Sequence, residues 1–203
     1  MPISVQDRER IAAAIRAAEA KTSGEIVCVL AQTSSDVMAW PILLATAAAL
    51  ALPWLLMGLT AMTVQRILSL QVLTFLVLIV ILCLPRLRVA LMPRKARRAV
   101  AHRVAMEQFV IRGIARKKER SGILIFVSLS ERYARIIADE GISARVPQSQ
   151  WQSAIAALLA QTRGGHIADG FIAAIEMCGA KLAEHFPRSE TTRDELPDKI
   201  YLI

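Results

Sequence analysis

The sequence predicts an α/β fold: a small mixed sheet of three to four strands flanked by helices, with an inserted two-helix transmembrane hairpin. Three observations lead there. Short, nearly continuous apolar runs at 25–31 and 123–129 read as buried strands. Segments with helical periodicity flank them. Between the two runs lie two long stretches without charge, 37–65 and 67–85, parted by Arg66 alone.

The elements follow in order. Ser4-Val5-Gln6-Asp7 has the form of a capping box. Behind it Ile11, Ala14, Ile15 and Ala18 recur on one helical face. Thr22-Ser23-Gly24 ends that helix, glycine being suited to the left-handed position past a C-terminus. EIVCVLA (25–31) then reads as a strand buried on both faces. Residues 40–59, WPILLATAAALALPWLLMGL, and 67–85, ILSLQVLTFLVLIVILCLP, form the hairpin. The second stretch has nineteen residues, which at 1.5 Å each span roughly 28 Å, close to the hydrocarbon thickness. Trp40 and Trp54 lie toward the ends of the first, where interfacial rings are favoured. Pro53 is tolerated in a membrane helix. Small residues in ATAAALA (45–51) permit close helix packing, within the hairpin or in a dimer.

After the hairpin a helix is predicted over about 94–118, with Val100, Val104, Ile111 and Ile114 on its apolar face. ILIFVSL (123–129) is the second strand, and YARIIAD (133–139) the third. Strand, helix, strand implies a parallel crossover, and the tight turn at 130–132 an antiparallel pair. Helices follow at 148–165, with Trp151, Ile155, Leu158 and Leu159 inward, and at 166–186, with Phe171, Ile175, Cys178 and Leu182 inward. Pro187 stops the last one. A polar linker then leads to an apolar tail, ELPDKIYLI, read as an added edge strand, a wedge between helices or a partner peptide. The organisation is therefore 1–36, the first helix and strand; 37–85, the hairpin; 86–186, a basic segment and the rest of the domain; and 187–203, linker and tail.

The net charge of +8 is local. Residues 86–120 alone carry +10, while 1–36 carry −1 and 121–203 carry −2. The turn of the hairpin, 60–66, is too short to hold a domain, so both flanks lie on one side of the membrane. Arg86, Arg88, Arg94, Lys95, Arg97, Arg98 and Arg103 against a lone Arg66 place that side in the cytoplasm. Membrane lipid is thus the first expected partner. Arg86, Arg88, Arg94, Lys95, Arg97 and Arg98 face anionic headgroups, each base near the surface contributing ~1 kcal/mol. Nucleic acid is the weaker alternative for 86–120, because the block lacks interleaved aromatics. MPISVQDRER has no apolar core before its charges and does not read as a secretory signal.

Motifs for chemistry are sparse. Cys28, Cys83 and Cys178 have neither metal-ligand nor redox spacing, and no arginine stands six residues after any of them. There is no Asp-x-Asp, no phosphate loop and no H-E-x-x-H, and His102, His166 and His185 are scattered. The best constellation is Asp139-Glu140-Gly141 after the third strand, with Asp169 in the first turn of the last helix. Hard oxygen ligands of this kind suit Ca²⁺ or Mg²⁺. Asp169 is equally explained by the helix dipole, and Asp139-Glu140-Gly141 by an ordinary turn. Arg132 and Arg135 could hold an anion nearby.

RIAAAIRAAEAKTSGEIVCVL, RSGILIFVSLSERYARIIADEGI, WQSAIAALLA and HIADGFIAAI together resemble the TPM domain family, over roughly residues 8–31 and 100–185. The resemblance implies a small α/β sandwich. It also implies a choice of activities: some members are described as phosphatases, some bind divalent metal, and many are scaffolds or assembly factors. Typical members carry acidic and Asn residues before the second strand, where this chain has Arg120-Ser121-Gly122. They are also exported and anchored at one end. The expectation is therefore a membrane-tethered, non-catalytic module in a bacterial inner membrane, both termini cytoplasmic, binding a protein partner or a second copy or supporting a membrane complex, and needing no cofactor. A weak phosphatase using Asp139, Glu140 and Asp169 with Ca²⁺ or Mg²⁺ is the alternative.

Overall fold

The computed structural model describes residues 3–34, 39–60, 62–82, 92–116, 120–188 and 196–203. Cys83, Arg86, Arg88, most of the polar linker and the Trp40 side chain lie outside the described residues. The chain divides into two units, one built from 1–34 and 99–203, the other from 35–98.

The first unit holds α1 (Val5–Glu19), β1 (Glu25–Ala31), most of α4 (Arg94–Ile111), β2 (Gly122–Ser128), β3 (Tyr133–Ala138), one helical turn α5 (Glu140–Ser143), α6 (Gln152–Arg163), α7 (Ile167–His185) and β4 (Ile200–Leu202). The sheet order is β3-β2-β1-β4. β1 pairs in parallel with β2, from Glu25 opposite Gly122 to Ala31 opposite Ser128, and in parallel with β4. β2 and β3 are antiparallel. The tail is therefore an edge strand, one of its predicted alternatives.

Alternation along the strands divides two cores. Ile26, Cys28 and Leu30 join Ile123, Ile125, Val127 and Ile136 under α1, α6 and α7. Val27, Val29 and Ala31 join Leu124, Phe126 and Ile137 under Ala105 and Phe109 of α4 and Ile114. Every residue of β1 and β2 is buried, as continuous apolar runs require of a sheet covered on both faces. Burial lifts the Cys28 thiol well above its ordinary value and the Cys178 thiol to about 12, so both stay protonated as small core residues.

Helix α1 starts at the predicted box: Asp7 donates its backbone N–H to Ser4 Oγ at 3.0 Å, and its carboxylate takes the Ser4 N–H. Such a cap contributes about 1 kcal/mol. Ile11, Ile15 and Ala18 are buried. Close packing on α7 depends on Gly179, where a Cβ would come within 2.7 Å of the Ala18 Cβ. On α4 the predicted face needs correction. Ile111 is 68% exposed, and the buried stripe is Ala101, Ala105 and Phe109. Ile114, just past the helix, is fully buried and Val104 packs against the same cluster, so the predicted face holds there and fails at Ile111. The helix also ends at Ile111, before a short 3₁₀ turn, Ile114–Arg116.

The second unit contains α2 (Ala39–Leu59), unbroken through Pro53, and α3 (Val64–Leu82). Both are long and apolar enough to cross a membrane. Only 11% and 6% of their apolar windows are buried, so large side chains such as Leu50, Trp54, Leu73 and Val80 face outward. Ala45 and Ala49 are buried on α2, which packs on α3. The small-residue stripe thus serves the hairpin itself.

One buried acid makes the fold pH-sensitive. Glu19 is 5% exposed and accepts the Ile26 N–H at 2.7 Å. Burial raises its pKa from 4.5 to about 8, with the adjacent Asp198 carboxyl and the Glu25 charge adding to the rise against the pull of the Ile26 N–H. Between those values the folded chain binds the extra proton. The Glu19 contribution is therefore complete below pH 4.5 and lost as pH climbs through 8. Glu19→Gln should flatten the fall of Tm between pH 5 and 8.5; an unchanged slope would reject this origin. Gly179→Val should destabilise by about 1–3 kcal/mol through overpacking, measured by denaturant unfolding of the detergent-solubilised chain.

Candidate functional site

The predicted acidic residues fall at opposite ends of the domain. Asp139 is 4% exposed and follows β3. Its N–H donates to Gly122 O at 2.9 Å, which fixes it beside the start of β2. Its Oδ1 accepts the Glu140 N–H at 2.7 Å, capping α5, and lies 3.6 Å from Arg120 Nη1. Oδ2 is buried without a hydrogen bond among the described residues. Arg120 holds a left-handed backbone, φ 51°.

Asp169 sits in the first turn of α7, in an ion pair with Arg10 Nη2 at 2.6 Å and 3.8 Å from His166 Nδ1. With Ile3, Asp7 and Ile167 these residues line a small polar cavity of about 190 Å³. Thirteen residues further along α7, Leu182 packs over Gly24 at the start of β1. At 1.5 Å per residue, Asp169 is thus roughly 20 Å along the helix from the end where Asp139 lies. The three acids are not brought together. Among the described residues no group of three His, Cys, Asp or Glu could hold a metal ion.

The reason lies in the strand directions. In α/β sheets ligands gather beyond the C-terminal ends of the parallel strands. β3 is antiparallel, so its C-terminal end lies beside the N-terminal ends of β1 and β2. The crevice beyond their C-terminal ends holds different residues. There Glu131, 6% exposed, accepts the Ser128 hydroxyl, the Ser34 N–H at 3.1 Å and the Thr33 hydroxyl at 3.3 Å. Ser34 Oγ donates to Ser128 Oγ at 2.9 Å. Sequence reading took Glu131 as part of a turn. The signal it missed is Ser128-x-x-Glu131, the spacing at which a hydroxyl and a carboxylate meet around a turn. These donors occupy the carboxylate and pin the chain where it leaves β1.

The basic stretch is partly described. Arg94, Lys95, Arg98 and Arg103 are exposed and Arg97 is half-buried. No acid stands in the first turn of α4.

Comparisons with known proteins agree with this architecture. A family model for the TPM domain matches residues 78–181, just over half the chain. The NMR structure of the BA42 protein from the psychrophilic bacterium Bizionia argentinensis aligns with a TM-score of 0.63, at 22% identity, covering 99% of this chain and 95% of that one. No curated protein matches. The match over 78–181 spans α4, β2, β3, α6 and nearly all of α7, so by sequence as well as fold the chain belongs to the TPM domain family.

Proposed function

We propose that the chain is a membrane-tethered TPM module that works by binding, either a protein partner or the components of a membrane complex, on the cytoplasmic face of a bacterial inner membrane. The observation that carries this reading is the apolar hairpin interrupting the domain. Two helices with outward-facing leucines and valines stand between strands that pair with each other. Burying those side chains in lipid removes their cost to a soluble chain, at about 25 cal/mol per Å². Positive charge concentrated after the second helix supports the orientation, and the same bases suit anionic headgroups.

The acidic residues give little support to catalysis. Asp139 and Asp169 are engaged separately, each by an arginine, and Glu131 is saturated by donors. Metal-assisted phosphoryl transfer needs carboxylates converging on one ion.

Two measurements test the reading. A C-terminal green fluorescent protein fusion should fluoresce and a C-terminal alkaline phosphatase fusion should be inactive; the reverse pattern would put the domain outside. The purified full chain should not hydrolyse p-nitrophenyl phosphate with Mg²⁺ or Ca²⁺, nor gain Tm from either ion. Turnover that disappears in Asp139→Asn would establish the phosphatase instead.

A further inference from the structure

The hairpin carries a single charge. Arg66 is the only charged residue between 37 and 85. It stands exposed in the first turn of α3, where no acidic residue offsets it or the positive end of the helix. With Thr63, Gln65, Ser69, Leu70 and Leu73 it lines an open groove of about 650 Å³. Arg66, Ser69, Leu70 and Leu73 follow an i, i+3, i+4, i+7 spacing, so the groove runs down one face of α3. The buried or half-buried residues Ile67, Gln71, Thr74 and Leu78 share another face, where α2 packs. The groove therefore faces away from α2.

Its lining changes character along the helix. Thr63, Gln65 and Arg66 lie at the turn end, and Leu70 and Leu73 follow one and two turns further on. The Ser69 hydroxyl donates to Gln65 O at 3.0 Å, which leaves its oxygen free to accept. Val77 and Val80 continue the exposed apolar stripe below Leu73. From Arg66 to Val77 the stripe runs roughly 16 Å, about half of a ~30 Å hydrocarbon core. A charged head above an apolar stem one leaflet long is the outline of a phospholipid. Other occupants match it less well. A second copy brings another Arg66 and no acid anywhere between 37 and 85. A soluble anion leaves Leu70 and Leu73 uncovered.

We propose that this groove seats one anionic glycerophospholipid, its phosphodiester on Arg66 and an acyl chain along Leu70, Leu73 and Val77. The guanidinium offers a planar pair of N–H donors that fit two phosphate oxygens. Thr63 and Gln65 add donors from the turn. The turn and the basic stretch after residue 85 flank opposite ends of α3, so the two meet lipid in opposite leaflets. The site rests on the reading of the hairpin as membrane-spanning, and not on which side the domain faces.

The test uses tryptophan reporters in the full chain, reconstituted into phosphatidylcholine vesicles. A minor fraction of the lipid is brominated on its acyl chains and is either phosphatidylcholine or phosphatidylglycerol. Trp40→Phe, Trp54→Phe and Val77→Trp together put the reporter on the groove stripe. Trp40→Phe alone leaves Trp54, exposed on α2 and about 180° around that helix from the buried Ala45. Trp151, buried in the domain, is common to both chains. In the Val77→Trp chain, brominated phosphatidylglycerol should quench as though enriched about fivefold over phosphatidylcholine, the preference that one base near the surface gives. At Trp54 the two lipids should quench alike. Arg66→Gln should remove the difference while brominated phosphatidylcholine still quenches, which shows that the variant has inserted. An equal preference at both reporters, or one that survives Arg66→Gln, marks diffuse attraction and overturns the site. So does the absence of any preference. If neither brominated lipid quenches either reporter, the hairpin is not in the bilayer, and the membrane reading falls together with the site.

Discussion

β1 pairs with β2 in parallel over all seven of its residues, although the entire hairpin and α4 come between them in sequence. A parallel pair cannot be joined by a tight turn. It needs a long crossover, and here that crossover contains, besides α4, two helices whose outward faces carry leucine and valine. The central strand also receives β4 on its other edge. Both layers of helices pack on residues that β1 presents alternately, Cys28 to one side and Val29 to the other. Folding of the sheet and disposal of the hairpin are consequently one problem, because β1 has no parallel partner until the chain has come back.

Buried carboxylates mark the two ends of that strand, and each is accommodated by a different physical route. A buried charge is costly unless paired or hydrogen-bonded. At the C-terminal end Glu131 is met by hydroxyls and a backbone N–H from Ser128, Thr33 and Ser34. At the N-terminal end Glu19 has the Ile26 N–H but also acidic neighbours in Asp198 and Glu25. Like charges there favour the protonated form. Asp198 stands two residues before β4.

Much of this architecture can be read from residues alone. The capping box at Ser4, the two apolar strands, the antiparallel turn and the inner stripe Phe171, Ile175, Cys178 and Leu182 all rest on local spacing, and the structure has them. Where the reading failed, the deciding quantity was not local. Ile111 is as apolar as any core residue, yet it is exposed, and Ala101, Ala105 and Phe109 form the buried stripe. The tail is the edge strand that was one of its expected alternatives, and the choice among them depended on β1 having a free edge. Asp139 and Asp169 looked like one constellation because each follows or begins an element near a turn. Strand direction separates them, and nothing within a short window encodes it.

Fold and site therefore carry different information here. The order of elements is enough to place the chain among TPM domains, but an activity needs particular groups to converge. Beside β2, where Asp139 is buried, the neighbouring charge is Arg120. That residue adopts a left-handed backbone at φ 51°, a conformation that costs a side-chain-bearing residue about 1 kcal/mol or more. Oδ1 of Asp139 is shared between the helical turn it caps and this guanidinium. A buried charge needs a pair or hydrogen bonds. For Oδ1 the Glu140 N–H at 2.7 Å and the Arg120 guanidinium at 3.6 Å supply both, while Oδ2 has no hydrogen bond among the described residues. Family membership places Asp139 in this fold; a metal-dependent chemistry is a separate question that turns on which groups converge on it.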